Sequence, residues 1–187
     1  LAADITAEVA HYLVAEPQSI PLELELDGFL IEGELGPLHD NRLVHWRPGK
    51  FRRHQLLQHW LRHVVANAVE GPVTSLLFEA GQGYRYRPVA KAEARAWLKC
   101  LLGWYRLGMQ RALPLLPDYC WLWLESFARS GDEAVAWGKA ESFWSAVSIY
   151  ASAESQDPFV YGCFSFDELA DSEFTRLAVE LVEPARM

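Results

Sequence analysis

Residues 26–50 read LDGFLIEGELGPLHDNRLVHWRPGK, and the reading of this stretch decides the fold. Asp27-Gly28 is a two-residue hairpin signal set between two alternating runs. On its upstream side Leu22, Leu24 and Leu26 alternate with Glu23 and Glu25, the pattern of a half-buried strand. On its downstream side Phe29, Ile31, Gly33 and Leu35 alternate again and predict a second strand, which Gly36-Pro37 is expected to end. Arg42 to Trp46 predicts a third, short strand closed by Pro48-Gly49.

The flanking sequence adds helices and two further strands. Leu56, Leu57, Trp60, Leu61, Val64, Val65 and Ala68 form an apolar stripe that predicts a helix over 51–69, stopped by Gly71-Pro72. Residues 73–79 and 84–88 are expected to pair around Gly81-Gln82-Gly83. Upstream, Ile5, Val9, Tyr12 and Leu13 predict a helix over 4–16 with Asp4 at its start, ended by Pro17 and Pro21. A long helix is expected over 90–112. Beyond it the chain reads as helical, with breaks at 113–117, 130–132 and 156–158 and a last helix over 172–183. There is no internal repeat or low-complexity tract. The expected class is α/β or α+β. It is a single domain over 1–187 with a central mixed sheet flanked by helices and a helical extension from about 118 to 187.

Composition narrows the class. Half of the 187 residues are hydrophobic (51%) and eight are tryptophan, which favours a folded domain with much buried or interfacial aromatic surface over a disordered chain. No apolar run reaches the roughly 18 residues of a membrane helix, so no membrane partner is expected. No leader peptide is visible, and a start at Leu1 suggests a fragment of a longer, or a processed, protein. Cys100, Cys120 and Cys163 are widely spaced without a CxxC pair, which reads as buried, reduced thiols in a cytoplasmic protein. Trp97, Trp104, Trp121, Trp123, Trp137 and Trp144 recur on expected helices and read mainly as core, with a minority left as protein-interface anchors.

The net charge of −8 speaks against autonomous nucleic-acid binding, but its distribution is uneven. Between His39 and His63 lie Arg42, Arg47, Lys50, Arg52, Arg53 and Arg62, with Asp40 the only acid and five of the six histidines. Such a patch on an acidic body suits one DNA-facing edge that grips phosphates without reading sequence. His59 and His63 have the i, i+4 spacing of a zinc-protease helix, yet Trp60 stands where its glutamate is needed. His54 would supply a third nitrogen only with a bend. These histidines read as solvated or DNA-facing, and no metal or cofactor is expected. No P-loop is present, and no Ser-His-Asp or Cys-His arrangement is suggested.

The order helix, three strands, helix, two strands is close to the core order of the PD-(D/E)XK nucleases. The quoted stretch resembles the active-site hairpin of the RecB-like members, where one strand carries "G-R-I-D-R-I" and the next "V-D-Y-K-T-G". On that pattern Gly33, Leu35, Val44, Trp46 and Gly49 match. Gln55, Gln58 and Trp60 resemble the glutamine-aromatic helix that follows. The acid positions fall on Gly36 and His45 and the lysine position on Arg47, so the resemblance implies a nuclease-like fold with a degenerate site and no catalytic residues.

Trp46-Arg-Pro-Gly-Lys50 with its basic helix resembles the C-terminal domain of the RecC family, the gamma subunit of exodeoxyribonuclease V. So do Tyr84-Arg-Tyr-Arg-Pro-Val-Ala90, Gly103-Trp-Tyr-Arg-Leu-Gly-Met109 and Leu113-Pro-Leu-Leu-Pro117. This second resemblance runs from about Leu22 to Trp123, while the first 20 residues match nothing distinctive. It implies a non-enzymatic domain of a DNA-repair and recombination complex, partnered by RecB and RecD and by single-stranded or forked DNA. Two rival readings stand beside it. One is an active Mg²⁺-dependent nuclease with relocated ligands among Glu32, Glu34 and Asp40. The other is an unrelated protein-interaction module.

Overall fold

The computed structural model describes residues 2–145 and 157–186. Helix α1 (Ala2–Ala10) leads into an antiparallel meander of β1 (Gln18–Leu26), β2 (Phe29–His39) and β3 (Arg42–Trp46). Helix α2 (Arg53–Val69) then carries the chain back, so that β4 (Thr74–Glu79) runs parallel to β3. Strand β5 (Gln82–Tyr86) closes the edge antiparallel to β4. The sheet order is β1-β2-β3-β4-β5, the mixed sheet flanked by helices that the sequence predicts.

Both meander turns use residues that tolerate positive φ. Asp27 (53°) and Gly28 (78°) join β1 to β2, and Asp40 (50°) and Asn41 (57°) join β2 to β3. Several boundaries differ from expectation. β1 starts at Gln18, four residues before Leu22, because it is an edge strand that tolerates Pro21. β2 runs through Gly36-Pro37 to His39, and a register shift in β1 between Gln18 and Ile20 accommodates the irregularity. α1 stops at Ala10, where Tyr12 and Leu13 fall back on i−3 carbonyls at 2.9 and 3.2 Å and tighten the chain into a turn. The β4–β5 turn is Ala80-Gly81, so Gln82 and Gly83 belong to the strand.

Adjacent residues of β3 point to opposite faces and define two cores. Leu43 packs with Leu35, Leu38, Val73 and Ala66 of α2, with Ile20 against them. Val44 lies with Leu76, Phe78, and Val9 and Tyr12 from the α1 end of the chain. The sheet is therefore covered by α2 on one face and by α1 on the other. Trp60 anchors α2, its ring 5.2 Å from Tyr86 and 5.0 Å from Trp97.

The chain divides into two compact units, Leu1–Trp104 and Tyr105–Met187. Helix α3 (Lys91–Gly108) spans the division. The second unit is helical, with α4 (Pro117–Ser130), α5 (Glu133–Trp144), α6 (Pro158–Cys163), α7 (Phe166–Leu169), α8 (Ser172–Leu177), a π-helical stretch Ala178–Val182 and α9 (Glu183–Arg186). Gly131 ends α4 in the left-handed region (φ 66°), and the Asp132 side chain caps α5 by accepting from Ala134 N. Trp123 is buried against Phe127 and Trp137, and Trp137 also meets Phe174 at 5.1 Å. Of the three cysteines expected to be buried, the structure buries only Cys120 and exposes Cys163. The expected break at 156–158 is seen only from Asp157 onward, since Gln156 lies outside the described residues. No described helix is long and apolar enough to cross a membrane.

Candidate functional site

The C-terminal ends of β3 and β4 gather polar side chains beneath α2. His45 shares the α2-facing side of β3 with Leu43, and its ring lies 4.1 Å from that of His59 on α2. Phe51 meets His59 edge-on at 5.3 Å and Tyr84 at 6.4 Å. Glu79, the last residue of β4, is only 2% exposed. One carboxyl oxygen accepts from the Phe51 backbone N–H and the other from the Tyr84 hydroxyl at 3.4 Å. The Arg47 N–H continues the ladder to the Phe78 carbonyl at 3.0 Å. Its guanidinium lies 5.8 Å over the Phe51 ring and donates to the Gln55 side-chain oxygen, which also accepts from Arg52 N at 3.0 Å.

Burial lowers His45 to a pKa of about 4, helped by His59 and the Arg62 cation. Burial and Arg62 lower His59 to about 4 as well. Both rings are therefore neutral near pH 7. His45 Nε2 and His59 Nδ1 are buried with no hydrogen-bond partner. Burial first, then Glu79, raises Tyr84.

This arrangement is poor in the ligands that Mg²⁺ prefers. The resemblance places acids at Gly36, in β2 just before the last two residues that pair with β3, and at His45 on β3. A Cβ on Gly36 would lie 3.0 Å from the Gln18 carbonyl oxygen and 3.2 Å from Ser19 Cα, and its φ of 149° is strained for any residue with a side chain. The backbone of β1 thus fills the space a carboxylate would occupy. An imidazole at position 45 is a soft donor for a hard cation, and the Arg47 guanidinium offers only N–H donors and no lone pair for a metal. Glu32 and Glu34 are exposed and flank Leu35 and Ile31 on the sheet face away from α2. Asp40 lies at the other end of β3, paired with Arg42 at 3.0 Å. Among the described residues no group of three His, Cys, Asp or Glu side chains is placed to hold a metal ion.

The structure gathers most of the basic residues. Arg47, Lys50, Arg52 and Arg53 line the connection from β3 into α2, and Arg62 is exposed on α2 near the two histidines. Arg42 is not brought there. It sits five residues before Arg47, about 16 Å along a strand at 3.3 Å per residue, and is tied to Asp40.

His63 corrects the expectation of a solvated or DNA-facing side chain, for it is fully buried. Its Nε2 donates to the Arg87 carbonyl at 2.9 Å, and Nδ1 meets the Ser75 hydroxyl at 2.9 Å. Burial holds its pKa at about 4. Asn67, one turn on, donates to the carbonyls of His63 and Val73 and accepts from Val73 N and Val89 N. Glu79, Phe51 and Tyr84 were not singled out from sequence. An acid ending the apolar run Val73–Phe78 is a visible signal, but nothing local links it to Phe51.

A family model described as the RecC C-terminal domain matches residues 1–128. The chain belongs to the RecC C-terminal domain family. The match begins at residue 1 and so takes in α1, which shows no distinctive signal in sequence. It ends inside α4, and residues 129–187 lie beyond it. The RecBCD enzyme subunit RecC of Escherichia coli (strain K12) is 33% identical over 119 residues. That alignment covers 63% of this RecC-family chain and 11% of the relative, so the chain corresponds to a small part of that protein.

Proposed function

We propose that this RecC-family chain is a catalytically silent PD-(D/E)XK-type domain, folding as one domain over 1–187, that works by binding. It is a part of an exodeoxyribonuclease V complex of the RecBCD type in DNA double-strand-break repair and recombination, in the cytoplasm. There it scaffolds RecB and RecD and guides single-stranded or forked DNA. Arg47, Lys50, Arg52, Arg53 and Arg62 form the DNA edge, with Arg42 a separate contact, and the tryptophan-bearing helices provide protein-facing surface. The observations that carry the reading are the closed position at Gly36 and the neutral His45, which leave no carboxylate at either place where the resemblance puts one.

The test is reconstitution of the full-length protein with RecB and RecD. Assembly and unwinding are expected to survive in variants of Gly36, His45 and Arg47 that leave the fold intact. Replacing Lys50, Arg52 and Arg62 by Gln is expected to weaken DNA binding and lower its salt slope by about one unit per lost phosphate contact. Unchanged DNA affinity and salt slope in the triple variant would remove the DNA-edge assignment. Cleavage by the reconstituted complex that disappears in Glu34→Ala or Glu79→Gln would return this domain to the enzymes.

A further inference from the structure

We propose that Trp46 is a stacking platform for an unpaired base of single-stranded DNA, with Lys50 and Arg52 holding the flanking phosphates. Trp46 ends β3 and is 50% exposed, the one described tryptophan among the exposed large hydrophobic side chains. It projects to the sheet face opposite His45, pairs with Phe78 in register and lies beyond the Val44–Phe78 cluster. From Trp46 to Arg53 the sequence holds four cations and no acid. The acid at this end of the sheet, Glu79, is buried and engaged by Phe51 N and Tyr84.

The connection is already ordered. Arg47 N is bonded to β4, Gln55 binds both Arg47 and Arg52 N, and Glu79 holds Phe51. The backbone that carries Lys50 and Arg52 therefore needs little ordering on binding. Charge decides the occupant. A tryptophan anchoring a protein partner is typically ringed by near-neutral contacts that exclude water, whereas this one is followed within six residues by the exposed cations Lys50 and Arg52, which complement a polyanion. A flat, exposed indole meets a base only when that base is out of the duplex. Stacking with phosphate neutralisation is the sequence-tolerant mode of single-strand binding. The inference rests on the DNA-guiding reading above and gives it a specific chemical contact.

The test compares, in the full-length protein, a labelled oligothymidylate with a deoxyribose-phosphate oligomer of equal length lacking bases, read by anisotropy at low salt. Trp46→Ala is expected to weaken oligothymidylate binding roughly 5- to 100-fold and to leave the baseless oligomer unaffected. Trp46→Phe should restore most of the loss. Lys50→Gln and Arg52→Gln should weaken both ligands alike. If Trp46→Ala binds oligothymidylate as the parent does, with the usual salt slope, the stacking platform is wrong and the DNA edge stands. If neither oligomer binds the unaltered protein, both fall. If Trp46→Ala instead blocks assembly with RecB and RecD and spares oligothymidylate binding, the residue is a protein anchor and the proposal is overturned.

Discussion

Helix α2 carries two polar clusters against the same sheet, and they are built in opposite ways. Toward its C-terminal end, His63 and Asn67 are buried with their hydrogen bonds made, to Ser75, Val73, Arg87 and Val89. Toward its N-terminal end, the rings of His45 and His59 pack against each other at a tilt, with a buried nitrogen on each ring left without a partner. A satisfied buried network fixes a fold, because each lost bond strands the group it served. An unsatisfied pair contributes little to stability and is held by packing. The first cluster is a structural staple joining α2, β4 and the segment after β5. The second is the cluster that the proposed function reads as a degenerate cation site, and it is held by ring packing rather than by hydrogen bonds at those two nitrogens.

Substitutions in the two clusters should have unequal effects. The largest effect is expected for Asn67→Leu, which strands the Val73 carbonyl and the N–H groups of Val73 and Val89. Urea denaturation should show a loss of about 4 kcal/mol, and a loss below about 1 kcal/mol would mean that the staple is not structural. Acidification comes next. His63 has an unfolded pKa of 6.5 and a folded pKa of about 4, so the unfolded chain takes up protons first as pH falls. Stability is full above pH 6.5 and declines through the window from 6.5 to 4. His63 accounts for on the order of 3 kcal/mol of that decline, and His45 and His59 act in the same direction. A stability flat between pH 7 and 4.5 would contradict the neutral assignments.

His63→Phe at pH 7 should cost about 2 kcal/mol, since it leaves the Arg87 carbonyl and Ser75 without partners. His45→Phe is the smallest effect and the most discriminating. It removes an unpaired nitrogen and keeps the ring, so stability at pH 7 should be unchanged or higher by up to about 1 kcal/mol. Equal losses in the two phenylalanine variants would erase the distinction between the clusters.

Much of the architecture is legible in the chain because it is written locally. Asp27-Gly28 between alternating runs specifies the first hairpin, Arg42–Trp46 reads as a strand, and the stripe from Leu56 to Ala68 gives α2 within two residues of its start. The structure departs from the local pattern where context overrides a local rule. Pro21 is tolerated on an edge strand, and Gly36-Pro37 is carried through β2 by a shift in the neighbouring strand. The chemistry of the site was less legible. His63 looks like a surface residue until Ser75 and the Arg87 carbonyl, 12 and 24 residues away, are folded against it. Glu79 is likewise defined by Phe51 N, 28 residues back. That positions 36 and 45 carry no acid is readable, but the reason position 36 has no room for a side chain lies in the backbone of β1.

The most direct measurement is a Mn²⁺ titration of the purified chain by isothermal calorimetry, with a parallel cleavage assay on single-stranded DNA. The expected result is no stoichiometric Mn²⁺ site and no cutting. One Mn²⁺ bound per chain, with cleavage that Glu79→Gln abolishes together with the binding, would contradict a site emptied of its ligands.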